Sequence, residues 1–127
     1  MPRKFYDKGS WRLFLMTQLF QMKCVACRGT EPLLTNSQID EFMPQVPDWQ
    51  VKEVAGEKRL ERVFKFKDFV EALAFTGKVG AIAEEEDHHP LLVTEWGRVT
   101  VHWWTHKIHG LHQNDFIMAA RTDKLLV

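Results

Sequence analysis

Cysteine is scarce: Cys24 and Cys27 are the only two in 127 residues. Two thiols cannot build a disulfide framework, and a single C-x-x-C supplies half of a tetrahedral zinc site. Serine occurs only at Ser10 and Ser37. Ser37 sits where a helix begins, so a Ser-His-acid hydrolase is excluded from the folded part. An excess of charge is also lacking. Lys+Arg and Asp+Glu are both 17, giving zero formal net charge with His neutral. A nucleic-acid binder carries a basic excess, so that class is not expected. No apolar run approaches 18 residues, so no membrane-spanning helix is expected. G-x-S-x-G, P-loop and G-x-G-x-x-G motifs are missing too. What remains is a chain that is 45% hydrophobic, enough for one core, with six His and five Trp gathered mostly in its second half.

The first 30 residues differ from the rest. Arg3, Lys4, Lys8, Arg12, Lys23 and Arg28 precede or flank a broken apolar run from Trp11 to Phe20. The run is too interrupted for a secretory signal and no small-x-small cleavage site follows, so a cytoplasmic protein is expected. Residues 1–30 read as a poorly ordered extension, part of it an artefact of a start upstream of Met16 or Met22. Residues 31–127 read as the domain.

Thr35 with Gln38 forms a capping box before Ile39, Phe42 and Met43, and Pro44 and Pro47 stop that helix. Trp49–Val54 and Arg59–Phe66 read as a hairpin around Ala55–Lys58, with Leu60, Phe64 and Phe66 on one face. Asp68 with Glu71 is a second capping box. It opens a helix to Glu86 whose expected core stripe is Phe69, Ala72, Leu73, Thr76, Val79, Gly80 and Ala83. Leu91–Trp96 and Val99–His106 read as a second hairpin around Gly97-Arg98. Val99, Val101 and Trp103 should face inward, and Thr100, His102, Trp104 and His106 outward. A last helix covers Asn114–Leu125, capped near Gln113 or Asn114. The order α-β-β-α-β-β-α predicts an α+β fold: a two-layer domain, with a four-stranded antiparallel sheet and three helices packed on one face.

Chemistry concentrates in Glu84-Glu85-Glu86-Asp87-His88-His89-Pro90 and in His102, His106, His109 and His112. Four carboxylates at a helix C-terminus are poorly placed against its dipole. Beside them, two imidazoles are favoured as cations, and histidine already exchanges protons near neutrality. Zinc through His88, His89, His106 and an acid is disfavoured, because adjacent His in an extended chain point apart. Zinc through Cys24, Cys27 and His stays open. Trp96 and Trp104 are placed to meet a flat heterocycle or a neighbouring subunit, and Trp103 to fill the core.

Glu84-x3-His88-His89-Pro90, followed by Trp96, His106 and Asp115 at intervals of five, nine and eight residues, resembles the signature of the pterin-4a-carbinolamine dehydratase family. Residues 33–125 carry the resemblance. Leu91–Val101 and Gly110–Arg121 resemble its bacterial, phenylalanine hydroxylase-associated branch. The resemblance implies loss of water from 4a-hydroxytetrahydropterin to give quinonoid dihydropterin, regenerating the cofactor of aromatic amino acid hydroxylases, with no cofactor and no metal of its own. It implies His88, His89 and His106 as the catalytic imidazoles. His88 and His106 are assigned to the departing hydroxyl and His89 to N5. Glu84, Pro90, Trp96, Thr105 and Asp115 are implied to bind substrate or orient the imidazoles, Asp115 by holding the loop after His106. A homodimer or homotetramer is implied, with phenylalanine hydroxylase as a candidate partner. The competing class is a protein-interaction module, since animal members also serve as dimerisation cofactors of a transcription factor. The open sheet face around Val63 would serve that role.

Overall fold

The computed structural model describes residues 18–126. β1 (Gln50–Val54) and β2 (Glu57–Lys65) are joined by Ala55 and Gly56. Both turn residues have positive φ (53° and 80°), the backbone whose twist suits a two-residue hairpin. The turn is therefore shorter than the sequence suggests, and Glu57 and Lys58 already pair with Val54 and Glu53. β3 (Leu91–Glu95) and β4 (Arg98–Trp103) form the second hairpin, turning at Trp96-Gly97. The sheet is antiparallel throughout in the order β1-β2-β4-β3.

One face of the sheet is the floor of the core. Leu60 and Phe64 of β2 and Val99, Val101 and Trp103 of β4 are buried on it. Each such large side chain removed from water contributes about 1.5–3 kcal/mol. The other face leaves Val63, Leu91 and Val93 exposed. Among the described residues three helices cover the floor, so the expected α+β architecture is the one observed.

α1 (Asn36–Phe42) opens with the expected reciprocal box. Thr35 Oγ1 accepts from the Gln38 amide and Gln38 Oε1 from the Thr35 amide. α2 (Phe69–Glu86) has only half of its box. Asp68 caps the Glu71 amide at 2.9 Å, but the Glu71 carboxylate accepts from Lys67 instead. The buried positions of α2 are Ala72, Phe75, Val79 and Ala83, whereas Phe69 and Leu73 are exposed. The stripe is rotated because Phe75 packs between Phe64 and Phe66, with ring centroids 4.7 and 5.0 Å away. α3 (Gln113–Lys124) lies deepest, burying Asn114 to Ala120 and Thr122. Trp103 Nε1 donates to Thr122, and Trp49 Nε1 and Arg62 donate to Asp123, fastening the helix to the sheet.

Residues 18–30, read from sequence as part of an extension, lie against this unit. Leu19, in a 3₁₀ turn at Leu19–Gln21, is 1% exposed and packs with α3. The basic residues and apolar run before position 18 lie outside the described residues. Among the described residues, no helix is long and apolar enough to cross a membrane.

Candidate active site

α2 ends at Asp87, whose left-handed backbone (φ 49°, ψ 43°) turns the chain off the helix axis. The His88 amide then donates back to Ala83 at 3.1 Å, closing the helix end. This reversal carries His88 inward. The residue is 9% exposed, its ring lies parallel to Trp103 with centroids 5.6 Å apart, and Nε2 is 2.7 Å from Asp115 Oδ1. His89 points the other way, as neighbours in an extended chain do. Its Nε2 meets Glu84 Oε2 at 2.5 Å in an exposed pair.

Asp115 is fully buried. Besides the His88 ring, it accepts at Oδ2 from Thr105 Oγ1 and from the His112 amide, both at 2.8 Å. It thus ties the beginning and the end of the loop between β4 and α3, and adds a grip on His88 that the sequence did not suggest. His112 is the N-cap of α3 in place of Gln113 or Asn114, its Nδ1 accepting from the Asn114 amide at 3.1 Å. Burial lowers the pKa of His112, and burial likewise lowers that of His102 on the outer sheet face.

His106 does not continue β4. The strand stops at Trp103, Thr105 pairs with Gly110, and His106 opens a 3₁₀ turn, His106–Ile108. The strand face expected to carry both His102 and His106 therefore does not form. The His106 ring stacks on Trp104 (centroids 4.2 Å, 8° between planes), and the Arg59 guanidinium lies 3.8 Å from the centroid of the same indole. Trp104 is a platform for an imidazole.

His88, His89, Thr105 and His106 line one cavity of about 540 Å³, a volume suited to a small bicyclic ligand. Glu84 reaches it through His89 and Asp115 through His88. Trp96 is not among its walls. It is 74% exposed at the tip of the β3–β4 hairpin, separated from the His pair by the whole of β3, roughly 17 Å at 3.4 Å per residue. Pro90 joins His89 to β3 without lining the cavity.

Arg121, Lys107 and Asn114 contribute without a signal in the sequence. Arg121 of α3 reaches Glu85 at 2.9 Å and Glu86 at 3.6 Å, answering the carboxylates crowded at the end of α2. Glu86, Lys107, Asn114 and residues 24–27 also line the cavity. Burial, with Glu86 and Asp115 nearby, pushes the Cys24 thiol up to about 12, and burial also raises Cys27. Among the described residues, no group of three or more His, Cys, Asp or Glu is arranged to hold a metal ion.

The sequence profile of the family described as Pterin 4 alpha carbinolamine dehydratase matches residues 32–125. The chain belongs to that family. Two relatives named for pterin-4-alpha-carbinolamine dehydratase are similar over 111 residues, 87% of this chain. One, from Nitrosococcus oceani, is 58% identical and 98% covered; the other, from Syntrophotalea carbinolica, is 55% identical and 99% covered. A crystal structure of a transcriptional coactivator/pterin dehydratase from Brucella melitensis superposes with a TM-score of 0.67 at 34% identity, covering 74% of this chain and 98% of that one. Membership of this dehydratase family makes the chain a hydro-lyase.

Proposed function

We propose that the cavity binds 4a-hydroxytetrahydropterin and that its imidazoles expel the 4a-hydroxyl as water, giving quinonoid dihydropterin for aromatic amino acid hydroxylases. The observation that carries this reading is the convergence of His88, His89 and His106 on one cavity, two of them backed by carboxylates. The reaction breaks the C4a–O bond, takes up a proton on the leaving oxygen, removes the N5 proton and forms the C4a=N5 bond. These are heteroatom proton transfers, for which a positioned imidazole contributes about 10²–10⁴-fold.

A carboxylate only accepts, so Asp115 places the hydrogen of His88 on Nε2. Nδ1 is left to exchange protons with the substrate. In our assignment His88 and His106 handle the hydroxyl and its proton, while His89, with Glu84 behind it, takes the proton from N5. Thr105 and Asp115 are positioning residues. Purified protein should accelerate dehydration of the carbinolamine and retain that activity in EDTA. An unchanged rate in the His88→Ala/His106→Ala double variant would refute the assignment.

A second reading rests on the exposed apolar residues Val63, Leu91 and Val93 of the outer sheet face and Phe69, Val70 and Leu73 of α2. We propose that the protein is cytoplasmic and covers them by forming a homodimer or homotetramer, or by binding phenylalanine hydroxylase or another protein. Sedimentation of the chain alone and with the hydroxylase separates these outcomes.

A further inference from the structure

Residues 24–27 precede the stretch matched by the family profile, yet they line the cavity beside the imidazoles. Three ties hold them there. The side chain of Asn114, a residue only 2% exposed, accepts from the Val25 amide at 2.9 Å and donates to the Val25 carbonyl at 2.7 Å. Glu86 Oε1 accepts from the Cys24 amide at 2.6 Å. Lys107 Nζ donates to the Cys27 carbonyl at 3.1 Å. Every tie sits beside a residue of the site: Asn114 precedes Asp115, Lys107 follows His106, and Glu86 lies two positions before His88. The segment is therefore fastened to the same element ends that carry the imidazoles and the buried carboxylate. Asn114 grips both backbone groups of one residue, as a rung of a sheet ladder does, and so fixes register as well as attachment.

We propose that residues 24–27 are a substrate-recognition strap, a wall of the pocket whose placement by Asn114 governs how tightly the pterin ring is held. This inference rests on the dehydratase reading above. Burial raises both thiols of the strap above their ordinary 9.0, away from the range near neutrality that suits proton exchange. What the strap offers is backbone. Among the described residues the Ala26 amide and carbonyl take no hydrogen bond within the protein. A pterin presents ring N–H, carbonyl and amino groups along one edge, which backbone donors and acceptors complement. The strap's contribution should therefore fall on binding and leave the chemical step to the imidazoles.

Two variants of the full chain test this. Asn114→Ala removes both Val25 bonds, and Ala26→Trp adds bulk to the wall from an exposed position while keeping every tie. Each is compared with wild type in steady-state dehydration of 4a-hydroxytetrahydropterin, in fluorescence titration with 7,8-dihydropterin, and in thermal melting. The expected result is a rise of about tenfold in both KM and the dihydropterin Kd, with the loss absent from kcat. Ala26→Trp should melt like wild type, so it decides the matter if Asn114→Ala does not fold. Wild-type activity with an unchanged KM and Kd in folded Ala26→Trp overturns the strap alone, as does a loss confined to kcat. A wild-type protein that neither dehydrates the carbinolamine nor binds dihydropterin overturns the dehydratase reading itself.

Discussion

Replacing Asp115 by Asn alters one atom of a buried side chain and should silence the site without unfolding the protein. Asp115 accepts three hydrogen bonds, from His88 Nε2 at 2.7 Å and from Thr105 Oγ1 and the His112 amide at 2.8 Å. An amide has one accepting oxygen and one donating nitrogen. The His112 N–H can only donate, so the Asn oxygen must take the place of Oδ2 and its NH₂ must face His88. His88 then has to accept at Nε2 and carry its hydrogen on Nδ1, the reverse of the arrangement imposed by the carboxylate. The proton-exchanging nitrogen presents the wrong hydrogen to the substrate, and the ring loses the anion that faces it when it is charged. Losing one well-placed acid or base lowers kcat by about 10²–10³-fold, and KM should change little. Charge-assisted bonds become neutral ones of roughly half the strength, while the desolvation of a buried anion is relieved. The net loss of stability should be about 1–2 kcal/mol. Stopped-flow dehydration gives kcat, urea melts give stability, and ¹⁵N shifts of the His88 ring report which nitrogen holds the hydrogen. A folded Asp115→Asn protein with wild-type kcat, or with the hydrogen of His88 still on Nε2, would refute this reasoning.

Three further outcomes follow from the same contacts. Stability should decline in acid. Burial lowers His102 and His112 below the ordinary 6.5, so the folded state binds fewer protons than the unfolded one. Their contribution is present above about pH 6.5 and is lost as pH falls through the lowered folded values. Protonated His112 also ceases to accept from Asn114. His112→Asn keeps a capping acceptor without the titration, and its urea midpoint should fall less between about pH 7 and 5. Glu84→Gln should cost only about two- to fivefold in kcat and should blunt its dependence on salt, since the Glu84–His89 pair is exposed. A loss as large as that of Asp115→Asn would contradict the assignment of His88 as the better-supported imidazole. Iodoacetamide should label Cys24 slowly in the native protein and rapidly in urea. A thiol at about 12 holds roughly 10³-fold less thiolate near pH 8 than one at 9.0; peptide mapping that shows equal labelling in both states would place Cys24 in a different environment.

The parts of this fold that were legible in the sequence are those governed by neighbours along the chain. The Thr35 box, the extent of α2 to Glu86 and the alternation of Val99, Val101 and Trp103 are local patterns, and each is observed. What the sequence concealed depends on distant partners. Periodicity admits Leu73 or Phe75 to the core equally, and only the gap between Phe64 and Phe66 chooses Phe75. Strand spacing runs on to His106, but Thr105 closes with Gly110 and turns the imidazole out of the sheet. His112 caps α3 although histidine is not a preferred capping residue, because the Asp115 carboxylate completes the box from N3.

The site divides along the same line. Its imidazoles were visible because proton chemistry near neutral pH draws on few residue types, and their spacing resembles one family. The groups that hold them were less visible, since a buried carboxylate, a side-chain amide or a guanidinium makes one long-range contact that leaves no period. Trp96 marks the limit from the other side. Its spacing matches the signature, yet the hairpin carries it to an exposed tip away from the cavity, so spacing alone did not place it at the site. Asp115 also entered by spacing, but the positioning role proposed for it rests on three bonds converging on two buried oxygens. A carboxylate so fully satisfied cannot turn toward substrate without leaving the Thr105 hydroxyl and the His112 amide unpaired. Any influence it has on the reaction must therefore pass through His88, which is why the kcat of a folded Asp115→Asn protein bears directly on whether that imidazole does the chemistry.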